Sequence, residues 1–156
     1  MKRILMVGIF LVSAFNYLGA ETKETKNMAH ITAIQVKNSP KALGPYSQAI
    51  KVTQAQEMLF ISGQLPIVPK TGELVTEPTE ATKQCMQNLA AILNEAGMDF
   101  SNVVETIILL KDIADFPVVN TAYASFLSEP YPARATFQAG ALPKDAVVEI
   151  KMTAVK

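Results

Sequence analysis

Two segments with helically spaced apolar residues flank one eight-residue apolar run, and this alternation narrows the available folds more than any other feature. In the first segment Ala81, Cys85, Leu89, Ile92, Leu93 and Ala96 recur at the period of one helix face. Pro78 and Thr79 suit its first turn, and Gly97 the position just past its end. Cys85 falls on that stripe, which makes it a core residue rather than a nucleophile. The run 103–110, interrupted only by Glu105 and Thr106, predicts a buried strand. After it Asp115 can cap a second helix carrying Phe116, Val119, Tyr123 and Phe126 at helical spacing, with Pro117 tolerated in the first turn.

Upstream, 31–36, 49–53 and 57–62 predict three strands, the second and third close enough in sequence to form a hairpin. Pro69-Lys70-Thr71-Gly72 marks a loop and turn before the first helix. Downstream, a Pro-rich turn that carries Arg134 leads into a strand over about 135–139. The stretch 147–155 then alternates, with Val148, Ile150, Met152 and Ala154 on one face and Val147, Glu149, Lys151 and Thr153 on the other. Three strands, helix, strand, helix and two strands make an α+β layer with two helices on one face of a mixed sheet. Two helices leave the second face uncovered, so oligomerisation is expected.

Residues 1–20 have Lys2 and Arg3, an apolar run over 4–15, then small residues ending at Ala20. This is the layout of a secretory signal peptide, with an apolar run too short to serve as a membrane anchor. It predicts export to the periplasm or medium, with 21–30 as a polar spacer and 31–156 as the domain. The alternative is translation from Met28, which gives a cytoplasmic protein. Removing the leader leaves 156 − 20 = 136 residues with 12 basic and 14 acidic groups, one domain with no basic patch for nucleic acid. The single Cys85 excludes an internal disulfide, and no Cys/His cluster offers metal ligands. His30, the lone histidine, lies at the edge of the spacer, so a Ser-His or Cys-His pair within the domain is not expected.

Downstream of residue 20 lysine supplies every positive side chain except one, Arg134 in the run Tyr131-Pro132-Ala133-Arg134-Ala135. A planar guanidinium is suited to gripping a carboxylate or phosphate in two-pronged fashion. Its isolation alone leaves two roles open, an internal ion pair or a ligand.

Several blocks bear on that choice: Gly44-Pro45-Tyr46-Ser47-Gln48-Ala49, Ile61-Ser62-Gly63-Gln64-Leu65-Pro66, Lys70-Thr71-Gly72-Glu73, Val119-Asn120-Thr121-Ala122-Tyr123, Pro132-Ala133-Arg134 and Leu142-Pro143-Lys144-Asp145 leading to Val148-Glu149-Ile150. In their order and spacing they resemble the reactive intermediate deaminase family (RidA, YjgF-like), across essentially the whole domain. The resemblance implies a chorismate-mutase-like sheet, a homotrimer with pockets between subunits, and hydrolysis of 2-imino acids or enamines to 2-keto acids and ammonia without cofactor or metal. It implies that Arg134 holds the substrate carboxylate and that Tyr46, Ser62, Asn120 and Glu149 belong to the pocket. Thr136 stands where the family often has cysteine, removing any role for that thiol, while its backbone groups could still position water and it is counted among the substrate-binding residues. Lys151, where relatives often carry an acid, is a second departure.

An imine carbon is already electrophilic, so such a reaction asks the protein for orientation and proton transfer. Arg134 would fix the carboxylate, Glu149 would orient or deprotonate water, Tyr46 would pack against the substrate, and Ser62 would hydrogen-bond the reacting centre. Other roles fit the same residues: Glu149 shares a strand face with Lys151 and Thr153 as a solvated carboxylate would, Tyr46 follows a turn as a core aromatic would, and Asn120 and Ser62 suit structural hydrogen bonds. A non-catalytic binder of small carboxylates is the competing function. Ribonuclease activity is disfavoured by the acidic balance, the lone arginine and the missing histidine.

Overall fold

A computed structural model describes residues 29–156. The leader and most of the spacer lie outside them. The elements are β1 (His30–Ile34), β2 (Ala49–Thr53), β3 (Met58–Gln64), α1 (Pro78–Glu95), β4 (Val103–Leu110), α2 (Phe116–Ala124), β5 (Ala133–Gln138) and β6 (Val148–Val155). β1 begins at His30, so the last residue assigned to the spacer belongs to a strand.

The main sheet has the order β3-β6-β4-β5, with β4 and β5 parallel and the other pairs antiparallel. α1 and α2 touch each other, and α1 packs on β6 and β3. This is the α+β arrangement of a mixed sheet with two helices that the element order predicts. α1 sets its stripe of Ala81, Cys85, Leu89 and Leu93 against Ile150, Met152 and Ala154 of β6, all buried to within 1 % of full enclosure. Burial pushes the Cys85 thiol up to about 12, the nearby Glu149 charge adding to the effect. The Glu77 carboxylate caps α1 by accepting from the amides of Thr79 and Glu80, at 3.0 and 2.8 Å, and Gly97 follows the helix with φ 64°. At α2 the expected cap is not made. Asp115 is already helical (φ −78°, ψ −7°) and bonds no amide, because the single turn Ile113–Asp115 precedes the helix and Asp112 caps that turn through the Ala114 amide at 2.9 Å.

The predicted hairpin of β2 with β3 is overturned. β2 pairs antiparallel with β1 in a separate two-stranded ribbon, and β3 pairs with β6. The reason lies in the link 54–57. Gln54 sits at φ 60°, and the amides of Gln56 and Glu57 both donate to the Lys156 carbonyl, at 2.7 and 3.0 Å. The link's donors are thus taken by the end of β6, and β2 turns away. It reaches β5 instead, through a parallel bridge of Ser47 to Ala133 and through Ser47 Oγ, which donates to the Tyr131 carbonyl at 2.5 Å.

By register the sheet face away from the helices carries Met58 and Phe60 of β3, Glu149, Lys151 and Thr153 of β6, Ile107 and Leu109 of β4, and Phe137 of β5. Phe60, Met58 and Phe137 are 70 %, 60 % and 50 % exposed, so this apolar face is open in a single chain.

Leu89→Ala is expected to destabilise the fold by about 3 kcal/mol, the transfer and cavity terms for a fully enclosed leucine. Urea unfolding followed by far-ultraviolet circular dichroism measures it, and a change under about 1 kcal/mol contradicts this account of the core.

Candidate functional site

Arg134 lies in β5, not in the turn before it, opposite Thr106 of the parallel strand β4. Its side chain and that of Thr136, two residues on, therefore emerge on the helix-covered face. α2 supplies the roof. Phe116, Asn120 and Tyr123 are spaced four and three residues apart and share one helix side. Tyr123 is wholly buried and its hydroxyl donates to Thr106 Oγ1 at 3.0 Å. The Arg134 guanidinium carbon sits 5.2 Å from the Tyr123 ring centre, 5.8 Å from Phe116 and 5.3 Å from Tyr46. All three are within cation–π range.

Tyr46 arrives on the loop that precedes β2, its hydroxyl accepting from the Leu43 amide at 3.3 Å. In the same loop Gly44, at φ 151°, passes so close that a Cβ there would lie 3.6 Å from both Arg134 Nη2 and Asn120 Oδ1. The glycine's backbone conformation is one that residues with side chains rarely adopt.

Arg134 takes part in no ion pair among the described residues; the two formed are Lys83–Glu80 and Lys111–Asp145. Burial lowers its pKa, with Tyr123 and Tyr46 opposing, and a guanidinium remains charged at any ordinary pH. Among the described residues three buried side-chain atoms lack a hydrogen-bond partner in the protein: Arg134 Nη1, Asn120 Oδ1 and Thr136 Oγ1. Arg134 and Asn120 meet beside Gly44, and Thr136 follows Arg134 by two residues along β5, on the same sheet face. Buried polar atoms are nearly always paired, so their convergence marks a place built for a polar guest.

Ser62 and Glu149 form a second group elsewhere. Both lie on the open sheet face, and Glu149 rests directly over Gly63, at a point where a bulge interrupts the β3–β6 pairing. A Cβ on Gly63 would overlap the carboxylate, at 1.8 Å from Oε1. β6 lies two strands from β5, about 9.5 Å across the sheet, and Glu149 projects to the opposite side from Arg134. Within one chain the expected site residues thus divide. Arg134, Tyr46, Asn120 and Thr136 come together, whereas Ser62 and Glu149 stand apart with Gly63. Lys151 is exposed on the same open face.

Sequence reasoning missed Phe116 and Tyr123 as partners of Arg134, because their helical spacing already had an explanation in the core. Gly44 and Gly63 lie within conspicuous blocks, but the contacts that require them to be glycine are visible only in three dimensions. The signal available was Asn120 lying on the same helix side as both rings.

The endoribonuclease L-PSP family model matches residues 36–156. RutC family protein y4sK of Sinorhizobium fredii is 50 % identical over 122 residues, covering 78 % of this chain and 94 % of that protein. A human 2-iminobutanoate/2-iminopropanoate deaminase is 43 % identical over 124 residues, covering 79 % of this chain and 88 % of that protein. The crystal structure of RidA from an Antarctic Psychrobacter superposes with a TM-score of 0.62 at 42 % identity, covering 80 % of this chain and 99 % of that one. The half-buried arginine on β5, without an ion-pair partner among the described residues, and this agreement along the domain lead to one conclusion: the chain belongs to the endoribonuclease L-PSP family, that of the RidA/YjgF reactive intermediate deaminases.

Proposed function

We propose that the chain hydrolyses small 2-imino acids and their enamine tautomers, such as 2-iminobutanoate and 2-iminopropanoate, to 2-keto acids and ammonia, without a cofactor. The observation that carries this reading is the unpaired guanidinium of Arg134 beside two further partnerless atoms, on Asn120 and Thr136. A planar carboxylate presents two oxygens to such a donor fork, and the amide and hydroxyl beside it suit an imine nitrogen or the water that attacks it.

The reaction needs a proton carrier that the Arg134 cluster lacks. Glu149 fits the task but faces away, and the open sheet face with Phe60 and Met58 calls for a cover. Both needs are met when a second copy lays its Ser62–Gly63–Glu149 surface against the Arg134 edge. Such an interface joins two different patches, so it repeats around a closed ring, and a homotrimer is the proposed assembly. In the completed pocket water adds to the carbon of the protonated imine as Glu149 takes a proton from it, giving a neutral carbinolamine. Glu149 then returns that proton to the nitrogen, the C–N bond breaks and ammonia leaves, and the hydroxyl gives up its own proton to Glu149, and from there to solvent, as it becomes the keto oxygen. Acid–base help of this kind contributes roughly 10²- to 10⁴-fold in rate.

One observation favours a second reading. Among the described residues no carboxylate pairs with Arg134, which is what a non-catalytic binder of small carboxylates would show. The family's ribonuclease name has less to rest on here, since the lone histidine, His30, is an exposed residue at the start of β1. For location, export by residues 1–20 is the proposal that the leader's layout supports. N-terminal sequencing of the natural protein is expected to find a start near Glu21; a chain beginning at Met28 places the protein in the cytoplasm.

With an amino-acid oxidase generating imino acids in situ, wild type is expected to accelerate keto-acid release, and Arg134→Ala and Glu149→Gln to lose it. Co-refolding the two variants in equal amounts then restores about a quarter of the wild-type rate, the share of interfaces that join an intact Arg134 to an intact Glu149. No acceleration by wild type favours the binder; no restoration in the mixture shows that the two residues do not meet across copies. Thr136→Val, which removes a buried hydroxyl without a protein partner, is expected to leave thermal stability unchanged or raise it by about 1 kcal/mol while slowing turnover. A loss of more than about 1 kcal/mol would mean that the hydroxyl is paired in the folded protein.

A further inference from the structure

A half-buried guanidinium ordinarily draws in an aspartate or glutamate, and among the described residues none pairs with Arg134. Three aromatic rings surround it instead, and they differ in how firmly they are held. Tyr46 rides on the loop before β2; its amide donates to the Gly44 carbonyl at 2.9 Å, and its side chain makes a single hydrogen bond, its hydroxyl accepting from the Leu43 amide at 3.3 Å. Phe116 and Tyr123 belong to α2, and Tyr123 is the more tightly fixed. It is 0 % exposed, and its hydroxyl is anchored to Thr106 Oγ1, itself 0 % exposed. Thr106 is the β4 residue that lies beside Arg134 in the sheet register. Strand, anchor, ring and guanidinium therefore form a closed circuit: the strand pair that carries Arg134 also sets the ring above it.

We infer that Tyr123 and Phe116 are positioning residues for Arg134: their rings stand in for a counter-carboxylate, holding the guanidinium in one orientation while leaving its Nη groups to a carboxylate ligand. This rests on the reading that Arg134 receives the ligand's carboxylate. An arginine held by a carboxylate must give up that partner, or share it, before binding another. One held by ring faces keeps its partners when the ligand arrives, because a ring attracts the cation from above the guanidinium plane whereas hydrogen bonds form within it. The arrangement also accounts for the sequence's choice of Arg over Lys at this one place, since an ammonium has no planar face to stack. Thr106 acts at one further remove, by fixing the tilt of Tyr123.

The chain has two arginines, Arg3 and Arg134, so protein labelled with ¹⁵N-arginine gives a simple spectrum of Nε–H groups. In wild type the Arg134 signal is expected upfield of the ordinary arginine position by ring current, and pyruvate, a stable keto-acid probe, is expected to shift it on binding. Tyr123→Leu and Phe116→Leu should each move the free signal toward the ordinary position, weaken pyruvate binding about tenfold, and place the catalytic loss in KM rather than kcat. Tyr123→Phe, which restores the ring without its anchor, should recover most of the ring shift. Should Tyr123→Leu fail to fold, Phe116→Leu decides, since it shortens only a partly buried ring. An Nε–H position and a pyruvate affinity unchanged in the folded leucine variants overturn the inference. These readouts are separate from imine hydrolysis. A ring shift that behaves as expected in a protein without deaminase activity sinks the deaminase reading alone, while hydrolysis with a ring-independent signal sinks the inference alone.

Discussion

Parallel pairing of β4 with β5 is the constraint from which the site follows. Parallel neighbours cannot be joined by a tight turn; the chain must leave the sheet and return, and α2 is the part that does so. A crossover helix packs on one sheet face, so whichever β5 side chains point that way come to lie under α2. Arg134 and Thr136 do. The same strand pairing puts Thr106 within reach of Tyr123. Had β5 been an antiparallel neighbour reached by a hairpin, no helix would have been obliged to lie above Arg134, and the guanidinium would have ended in water.

How far the sequence disclosed this depended on how local the determining contact is. The run 103–110, the stripe through Cys85 and Leu89, and the alternation through Val148 and Ile150 were legible because each carries its periodicity within a few residues, and these three segments make up most of the core. The pairing of β2 was misread because closeness in sequence favours a hairpin, while the outcome turned on Lys156, a hundred residues away, taking up the amides of Gln56 and Glu57. Arg134 was placed in a turn because Pro130 and Pro132 precede it, yet β4 holds the strand from Ala133 onward. Chemical identity gave the arginine away; spatial company did not. Phe116 and Tyr123 each satisfied a core pattern, and nothing in a one-dimensional reading says which side of a helix a strand residue will meet.

The two groups of site residues show a division of labour between rigid and open parts. Around Arg134 the protein has enclosed polar atoms that it does not itself satisfy, an arrangement that lowers stability and persists where a ligand completes it. Around Glu149 it has done the reverse, leaving a carboxylate on an exposed face and clearing the ground beneath it by the missing side chain of Gly63. Neither group makes a reaction centre alone. On the proposed function the first would supply orientation and the second the proton carrier, which would concentrate the chemistry at the surface between copies.

Cys85 carries a different consequence. Its sulfur is sealed between α1 and β6, with Sγ 4.0 Å from the Val148 carbonyl, and its ionisation is suppressed to about 12. Thiolate is the form that oxidants, disulfide exchange and alkylating agents attack. With no second cysteine in the chain, the domain presents no other thiol for redox chemistry to act upon. The folded protein is therefore indifferent to the thiol balance of its surroundings, equally able to persist where glutathione is abundant and where disulfides form freely.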